Sequence, residues 1–266
     1  MATCKACQEP LTLTLDPADP EIRDGGEEAV MVPDDLELQA CGCHFHWQCL
    51  LDVAPQVTTS MHCPACDTSL ASGHAGSSSS ASSGQTILTN YASEDGVQQD
   101  YDILSVLREE AYFAQHPEDR SAKALHIMSA EGDVAGIMDV LMTEAEDAEE
   151  LYQAAPVQRL TTWRDPLNGG QTALHVAIVN RQEDVFWLLL WVATPGVPET
   201  AFPAEIARRA NSQVILSRMK TVYSGQIDQG GMDVRFVRDD NGRTPGDLCR
   251  EVGSPFSDFA QSAVFQ

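Results

Sequence analysis

Seven cysteines and His46 stand in close pairs within the first 66 residues: Cys4 and Cys7, then Cys41, Cys43, His46 and Cys49, then Cys63 and Cys66. Thiolates and imidazole nitrogens at such close spacing share a tetrahedral zinc ion in pairs, through bonds about 2.0–2.3 Å long. Four pairs in series supply two sites of four ligands each, and closed sites of this kind build structure rather than activate water. Cysteines packed as small hydrophobes, or cycling as a redox couple, explain one isolated pair but not four in a row. A disulfide framework suits short secreted chains, and Met1–Pro10 holds no long apolar run of the kind a signal peptide needs. His44, beside Cys43, and His62, beside Cys63, are rival ligands, each placed to replace its neighbour rather than to supplement it.

The order of the eight residues, the run Cys-Gly-Cys-His-Phe-His-Trp-Gln-Cys over 41–49 and the closing Cys-Pro-Ala-Cys over 63–66 resemble the RING finger family of ubiquitin ligases. The PHD finger shares this ligand order. It leaves a longer gap before its histidine, however, and carries an aromatic two residues before the seventh ligand. Here the gap is His44 and Phe45, and that position holds Met61. The resemblance implies two structural zinc ions with interleaved ligands. One would take Cys4, Cys7, His46 and Cys49, and the other Cys41, Cys43, Cys63 and Cys66.

It implies an activity as well. RING fingers grip a ubiquitin-conjugating enzyme charged with ubiquitin and hold its thioester in a reactive geometry, catalysis by positioning without a covalent intermediate. The gripping positions that match the family are Ala6, Leu50, Val53 and Pro64. Leu50 and Pro64 agree with its pattern. Ala6 replaces a larger aliphatic residue, and Val53 stands where many members carry tryptophan. Asp67 follows the last ligand where active members place arginine or lysine, and a carboxylate cannot donate their hydrogen bonds. These departures keep a second expectation open, a non-catalytic zinc-binding adaptor or scaffold.

The ligands need elements to hold them. The apolar patches Leu11–Leu15 and Ala29–Val32 are expected to pair as short strands around an acidic loop over 16–28. Cys49–Ala54 suits a single helix that Pro55 ends, and the rest of 1–70 is poor in core-forming residues. A Ser/Gly-rich run over 73–84 marks a flexible linker, set at 71–99. The pattern then turns helical. Ile103, Leu104, Leu107, Ala111 and Phe113 form one stripe, a candidate cap for the helices beyond it, and His116-Pro117 stops that helix. The acidic run over 144–150 reads as a solvated helix face.

Three segments repeat: Lys123-Ala-Leu-His-Ile-Met, Thr172-Ala-Leu-His-Val-Ala and Asn241-Gly-Arg-Thr-Pro-Gly-Asp-Leu-Cys. They resemble ankyrin repeats, in which the threonine caps a first helix, leucine and alanine pack between repeats, and the histidine satisfies backbone groups. His126 and His175 are therefore structural, Cys249 is core, and Phe186–Trp191 is packing between repeats. Arg181 stands where glycine takes a positive φ. The array is irregular, with 49 residues from His126 to His175 and 72 from His175 to Asp247, against about 33 in a regular one. Insertions near 154–166 and 192–203 must loop out or add helices, and 204–210 and 214–220 read as helices of a degenerate unit. The expected fold is multidomain: a small zinc-stabilised α+β RING-type domain, then an all-α ankyrin-like helical repeat domain over 100–266.

A formal net charge of −24 repels phosphate backbones, which argues against nucleic acid as a partner. The longest strongly apolar stretch, near Val185–Ala193, is far short of the ~20 residues that span a bilayer, so no membrane partner is expected. An intracellular chain, in cytoplasm or nucleus, would keep its thiols reduced for metal. The expected partners are a ubiquitin-conjugating enzyme and an unknown protein substrate. No phosphate-binding glycine loop or nucleophile constellation supports a kinase or hydrolase.

Overall fold

The fold is described from a computed structural model for residues 2–15, 30–71, 85–150, 156–194, 197–212 and 232–265. The chain divides into two compact units, Met1–Pro117 and Glu118–Gln266. The first is a small sheet region carrying the cysteine and histidine clusters, and the second is helical. No helix among the described residues is long and apolar enough to cross a membrane.

In the first unit β1 (Thr12–Leu15) pairs antiparallel with β2 (Val30–Pro33), Thr12 opposite Pro33 and Leu15 opposite Val30. These are the two patches expected to pair. A second sheet runs in the order β4-β3-β5-β6, from β3 (Asp35–Leu38), β4 (Cys43–Phe45), β5 (Leu88–Ser93) and β6 (Gly96–Asp102). The last two strands fall where the linker or the start of the repeat domain was expected. They join the sheet that carries Cys43 instead, where β5 pairs with β3 from Asp35–Ala92 to Leu38–Thr89. The Ser/Gly-rich run over 73–84 and the acidic loop over 16–28 lie outside the described residues.

Two short helices stand here rather than one, and the first of them carries the sixth ligand position, Cys49. They are α1 (Trp47–Leu51) and α2 (Ala54–Ser60), and Pro55 opens α2. Proline is favourable in a first helical turn, where its missing N–H would have had no partner anyway. Next comes α3 (Leu104–Gln115), which packs on α2. The stripe read from the sequence is correct, since Ile103, Leu104, Leu107, Ala111 and Phe113 are all buried. The helix, expected as a cap for the repeats, falls within the first unit, Met1–Pro117. Ile87, Ile103, Leu104 and Leu107 bury fully against Leu36, Leu38, Phe45, Leu50 and Val57, so the amino-terminal unit has an apolar core of its own. Each such side chain contributes about 1.5–3 kcal/mol.

The second unit is built from helix pairs. α4 (Arg120–Glu131) leads into α5 (Val134–Glu150), whose carboxy-terminal part is the acidic run. α6 (Pro156–Thr162) fills the first insertion. α7 (Ala173–Val179) and α8 (Glu183–Ala193) form the central pair, α9 (Ala204–Ser212) lies where a helix was read, and α10 (Pro245–Val252) and α11 (Phe256–Phe259) close the unit. The segment 214–220 lies outside the described residues. α7 packs against both α4 and α10, so the three segments with matching sequence lie side by side in chain order. Six consecutive residues of α7, Ala173–Ile178, are buried, as is all of Val185–Val192 in α8. Phe186 meets Phe256 edge-on at 5.3 Å, and Trp187 lies 5.0 Å from Phe259.

The ends of these helices are set by specific residues. Thr172 and His175 form a capping box at the start of α7, and Thr244 and Asp247 form one at the start of α10. The His175 ring also reaches the Arg243 carbonyl, at 3.1 Å from Nε2. Gly132 ends α4 with φ +82°. Arg181 takes the corresponding place after α7 with φ +57°. A non-glycine residue there costs about 1–2 kcal/mol. The Arg181 guanidinium offsets part of that by donating to the Val252 carbonyl at 2.8 Å.

His126 departs from expectation. It is buried, yet neither ring nitrogen meets hydrogen-bond geometry among the described residues, and the ring packs edge-on against Trp163 at 4.9 Å. The reason is one helical turn upstream. Lys123 replaces the capping threonine and sits inside a helix that already begins at Arg120, so no cap hydroxyl faces the ring. Lys123 instead reaches the buried carboxylate of Asp165 at 3.1 Å.

Candidate metal centre

The ligand atoms gather into two groups of four, Cys4-Cys7-His46-Cys49 and Cys41-Cys43-Cys63-Cys66, with all atoms of each group within 4.8 Å of one another. The members alternate along the chain, first and third pairs in one group, second and fourth in the other. In the first group Nδ1 of His46 lies 3.3 Å from Sγ of Cys7 and 3.7 Å from Sγ of Cys49. A tetrahedron with Zn–N about 2.0 Å and Zn–S about 2.3 Å has a nitrogen–sulfur edge of roughly 3.5 Å. The donor set therefore fits zinc in type, number and spacing.

Local backbone geometry explains how each pair is presented. After Cys4-x-x-Cys7, Gln8 adopts φ +70°, and after Cys63-x-x-Cys66, Asp67 adopts φ +59°. The Gln8 N–H donates to the Cys4 carbonyl and the Asp67 N–H to the Cys63 carbonyl, each at 2.9 Å. The Cys4 N–H returns to the Glu9 carbonyl at 2.9 Å, and the Cys63 N–H to the Thr68 carbonyl at 2.8 Å. Two equivalent knuckles result, each aiming its sulfurs to one side. This repeated geometry was missed in the sequence, where only the Cys-x-x-Cys spacing pointed to it.

The remaining ligands ride on regular elements. Cys43 lies in β4, Cys49 in α1, and His46 takes the position before α1 with extended backbone. Nε2 of His46 lies 2.8 Å from the Pro10 carbonyl. Donation of that N–H fixes the tautomer and leaves Nδ1 free to face the sulfurs. Asp34, almost fully buried, accepts the Trp47 N–H at 3.1 Å and the Tyr91 hydroxyl at 3.1 Å, which pins α1 next to the first cluster. The rival histidines are engaged elsewhere. His44 pairs with Asp35 at 2.7 Å, and His62 turns back to the Ser60 carbonyl.

The thiols have uneven acidities. Burial opposes ionisation of Cys4, but backbone N–H groups of Cys7, His46 and Ala6 outweigh it and bring its pKa down to about 7. The Thr68 hydroxyl and backbone lower Cys66 to about 6. Burial, reinforced by neighbouring thiols, pushes Cys41 up to about 11 and Cys49 to about 12, and moves Cys43 upward too. Thiolates so crowded repel one another, and a divalent cation relieves that repulsion while taking their protons' place. Cys249, in the helical unit and in neither cluster, is pushed up to about 12 by burial and behaves as core.

Of the four positions matched to enzyme docking, Ala6 is exposed and Val53 and Pro64 are half-buried. Leu50 is fully buried in the core beside Ala54 and Val57, so it supports the surface from beneath and offers none of its own. Asp67 is exposed. Comparison of the chain with protein-family models, with curated proteins and with solved structures found no match in any of the three.

Proposed function

We propose that the chain is a RING-type ubiquitin-protein ligase, with its amino-terminal unit recruiting a charged ubiquitin-conjugating enzyme and its helical unit selecting a protein substrate. The observation that carries this reading is the interleaving of two four-ligand clusters, which locks loops distant in sequence into one rigid surface. Two structural zinc ions fill the clusters, and neither acts as a Lewis acid. Ala6, Val53 and Pro64 meet the conjugating enzyme, and catalysis consists of holding its thioester for attack. The helical unit reads as a degenerate ankyrin-like array, supported by the side-by-side packing of α4, α7 and α10 and by the two capping boxes.

A second reading, a non-catalytic zinc-binding adaptor, is favoured by two particulars: Leu50 has no exposed surface, and Asp67 presents a carboxylate where a donor is wanted. Incubation of the zinc-loaded chain with ubiquitin-activating enzyme, a panel of conjugating enzymes, ubiquitin and ATP separates the two. The ligase reading expects polyubiquitin that Cys41→Ala abolishes and Asp67→Arg increases. Absence of product with every conjugating enzyme, for wild type and Asp67→Arg alike, leaves the adaptor.

A further inference from the structure

A cavity of about 480 Å³ opens on the amino-terminal unit, with Leu13, Val32 and Pro33 on its apolar side and Trp47, Tyr91 and Tyr101 as its aromatic lining. The rings form one group: Trp47 lies 4.9 Å from Tyr91 and 6.1 Å from Tyr101 between centroids, and all three are partly exposed. Tyr101 reaches this group through an irregularity in the sheet. Thr89 and Tyr91 are two residues apart on β5, yet their partners Tyr101 and Gln98 are three apart on β6, and Asp100 between them takes φ +55°. Such a bulge re-aims a side chain, and here it brings Tyr101 to the face of Tyr91 and Gln98.

The charges of the cavity all have one sign. Glu94 and Asp95, exposed in the β5–β6 turn, are its charged lining, and the buried carboxylate of Asp34 accepts the Tyr91 hydroxyl. Burial first, then Asp34, Asp95 and Glu94, push the Tyr91 hydroxyl up to about 12, so the negative field extends across the aromatic wall. No lysine or arginine among the described residues belongs to the lining. Residues 1–117 contain only Lys5, Arg23 and Arg108 as basic side chains, against eighteen acidic ones.

We propose that this cavity docks the alkylammonium side chain of a lysine on a partner protein, held by the faces of Trp47, Tyr91 and Tyr101 and by the carboxylates of Glu94 and Asp95. A cation within about 6 Å of an aromatic centroid is attracted by the ring's negative face, and tryptophan is the strongest such partner. The aliphatic stem of lysine needs an apolar track, which Leu13, Val32 and Pro33 supply, while its head needs a counter-charge. The exposed side chain of Leu13 on the β1–β2 hairpin adds apolar surface at the opening that a bound peptide would cover. The inference stands apart from ubiquitin transfer, since it needs only the folded amino-terminal unit.

Calorimetric titration of the zinc-loaded full chain with a short acetylated and amidated lysine peptide, beside the same peptide carrying norleucine, is the test. Norleucine keeps the stem and removes the charge. The lysine peptide should bind at least 10-fold more tightly, and added salt should narrow the difference. Glu94→Gln combined with Asp95→Asn should weaken lysine binding about 5-fold or more. Both residues are exposed, and an unchanged zinc content would certify the fold. Tyr101→Leu should weaken lysine binding and leave norleucine binding nearly as it was. Equal affinity for the two peptides, indifference to the carboxamide pair, or no heat at millimolar lysine peptide would each overturn the proposal.

Discussion

Met1–Pro117 and Glu118–Gln266 solve one problem, how to hold short elements together, by different means. In the first unit two strands of four residues, one of three and a five-residue helix carry the ligands or flank them. None is long enough to persist alone. They converge on two clusters of sulfur and nitrogen donors, each fit to hold a metal ion, beside a modest apolar core that includes residues of α3. In the second unit the elements are helices, and the fixing comes from a continuous apolar cluster through α4, α7, α8 and α10, with caps at the helix starts. Metal-held structure depends on a few irreplaceable atoms. Burial-held structure spreads its dependence over many, so single changes in the two units should have different sizes and different signatures.

The largest effect is expected for Cys43→Ser. It removes one ligand from a site of a kind worth about 10–16 kcal/mol in small zinc-binding peptides. One zinc equivalent should be lost, together with amide-exchange protection over β3 and β4, while protection in α7 and α8 stays. A comparable loss of protection in both units would erase the distinction between them. Next comes Trp187→Ala, which empties part of the helical core and should cost about 3–5 kcal/mol in denaturant unfolding. Zinc content should not change.

The third expectation concerns acid. Burial of His126 lowers its pKa to about 4, with Asp165 pulling it up and Lys123 pushing it down. The unfolded chain takes up that proton near pH 6.5. Stability from keeping the ring neutral is therefore complete above pH 6.5 and is lost as the pH falls toward 4, about 3 kcal/mol in all. His175, whose pKa burial also lowers, acts in the same direction. Far-UV circular dichroism melts at pH 7 and pH 5 should differ less for His126→Leu than for the wild type. An unchanged pH dependence would show that the ring is not the buried neutral group. Smallest is Thr172→Ala, which deletes the α7 cap and should cost about 1 kcal/mol, read as a shift of the helical transition alone.

The eight clustered residues were legible in the sequence because ligand spacing is local, and the grouping that the RING resemblance implied matches the two clusters. The stripe of α3 and the caps Thr172 and Thr244 were legible for the same local reason. What escaped were long-range pairings. β5 and β6 read Leu-Thr-Asn-Tyr-Ala-Ser and Gly-Val-Gln-Gln-Asp-Tyr-Asp, too polar to announce strands. Only pairing with β3 makes them so, across a distance like the 51 residues between Gln39 and Asn90. The aromatic group of Trp47, Tyr91 and Tyr101 was hidden likewise, since its members come from α1, β5 and β6. The amino-terminal stretch looked coreless because part of its core, Ile87, Ile103, Leu104, Leu107 and Ala111, lies beyond residue 85.

The contrast drawn between the units requires two bound metal ions, and one experiment tests that directly: elemental analysis of the freshly purified full chain, with hydrogen exchange followed before and after a strong chelator. Two equivalents of zinc per chain are expected, with chelation releasing protection in β3, β4 and α1 and sparing α7 and α8. Much less than two equivalents, or an amino-terminal unit indifferent to the chelator, would contradict it.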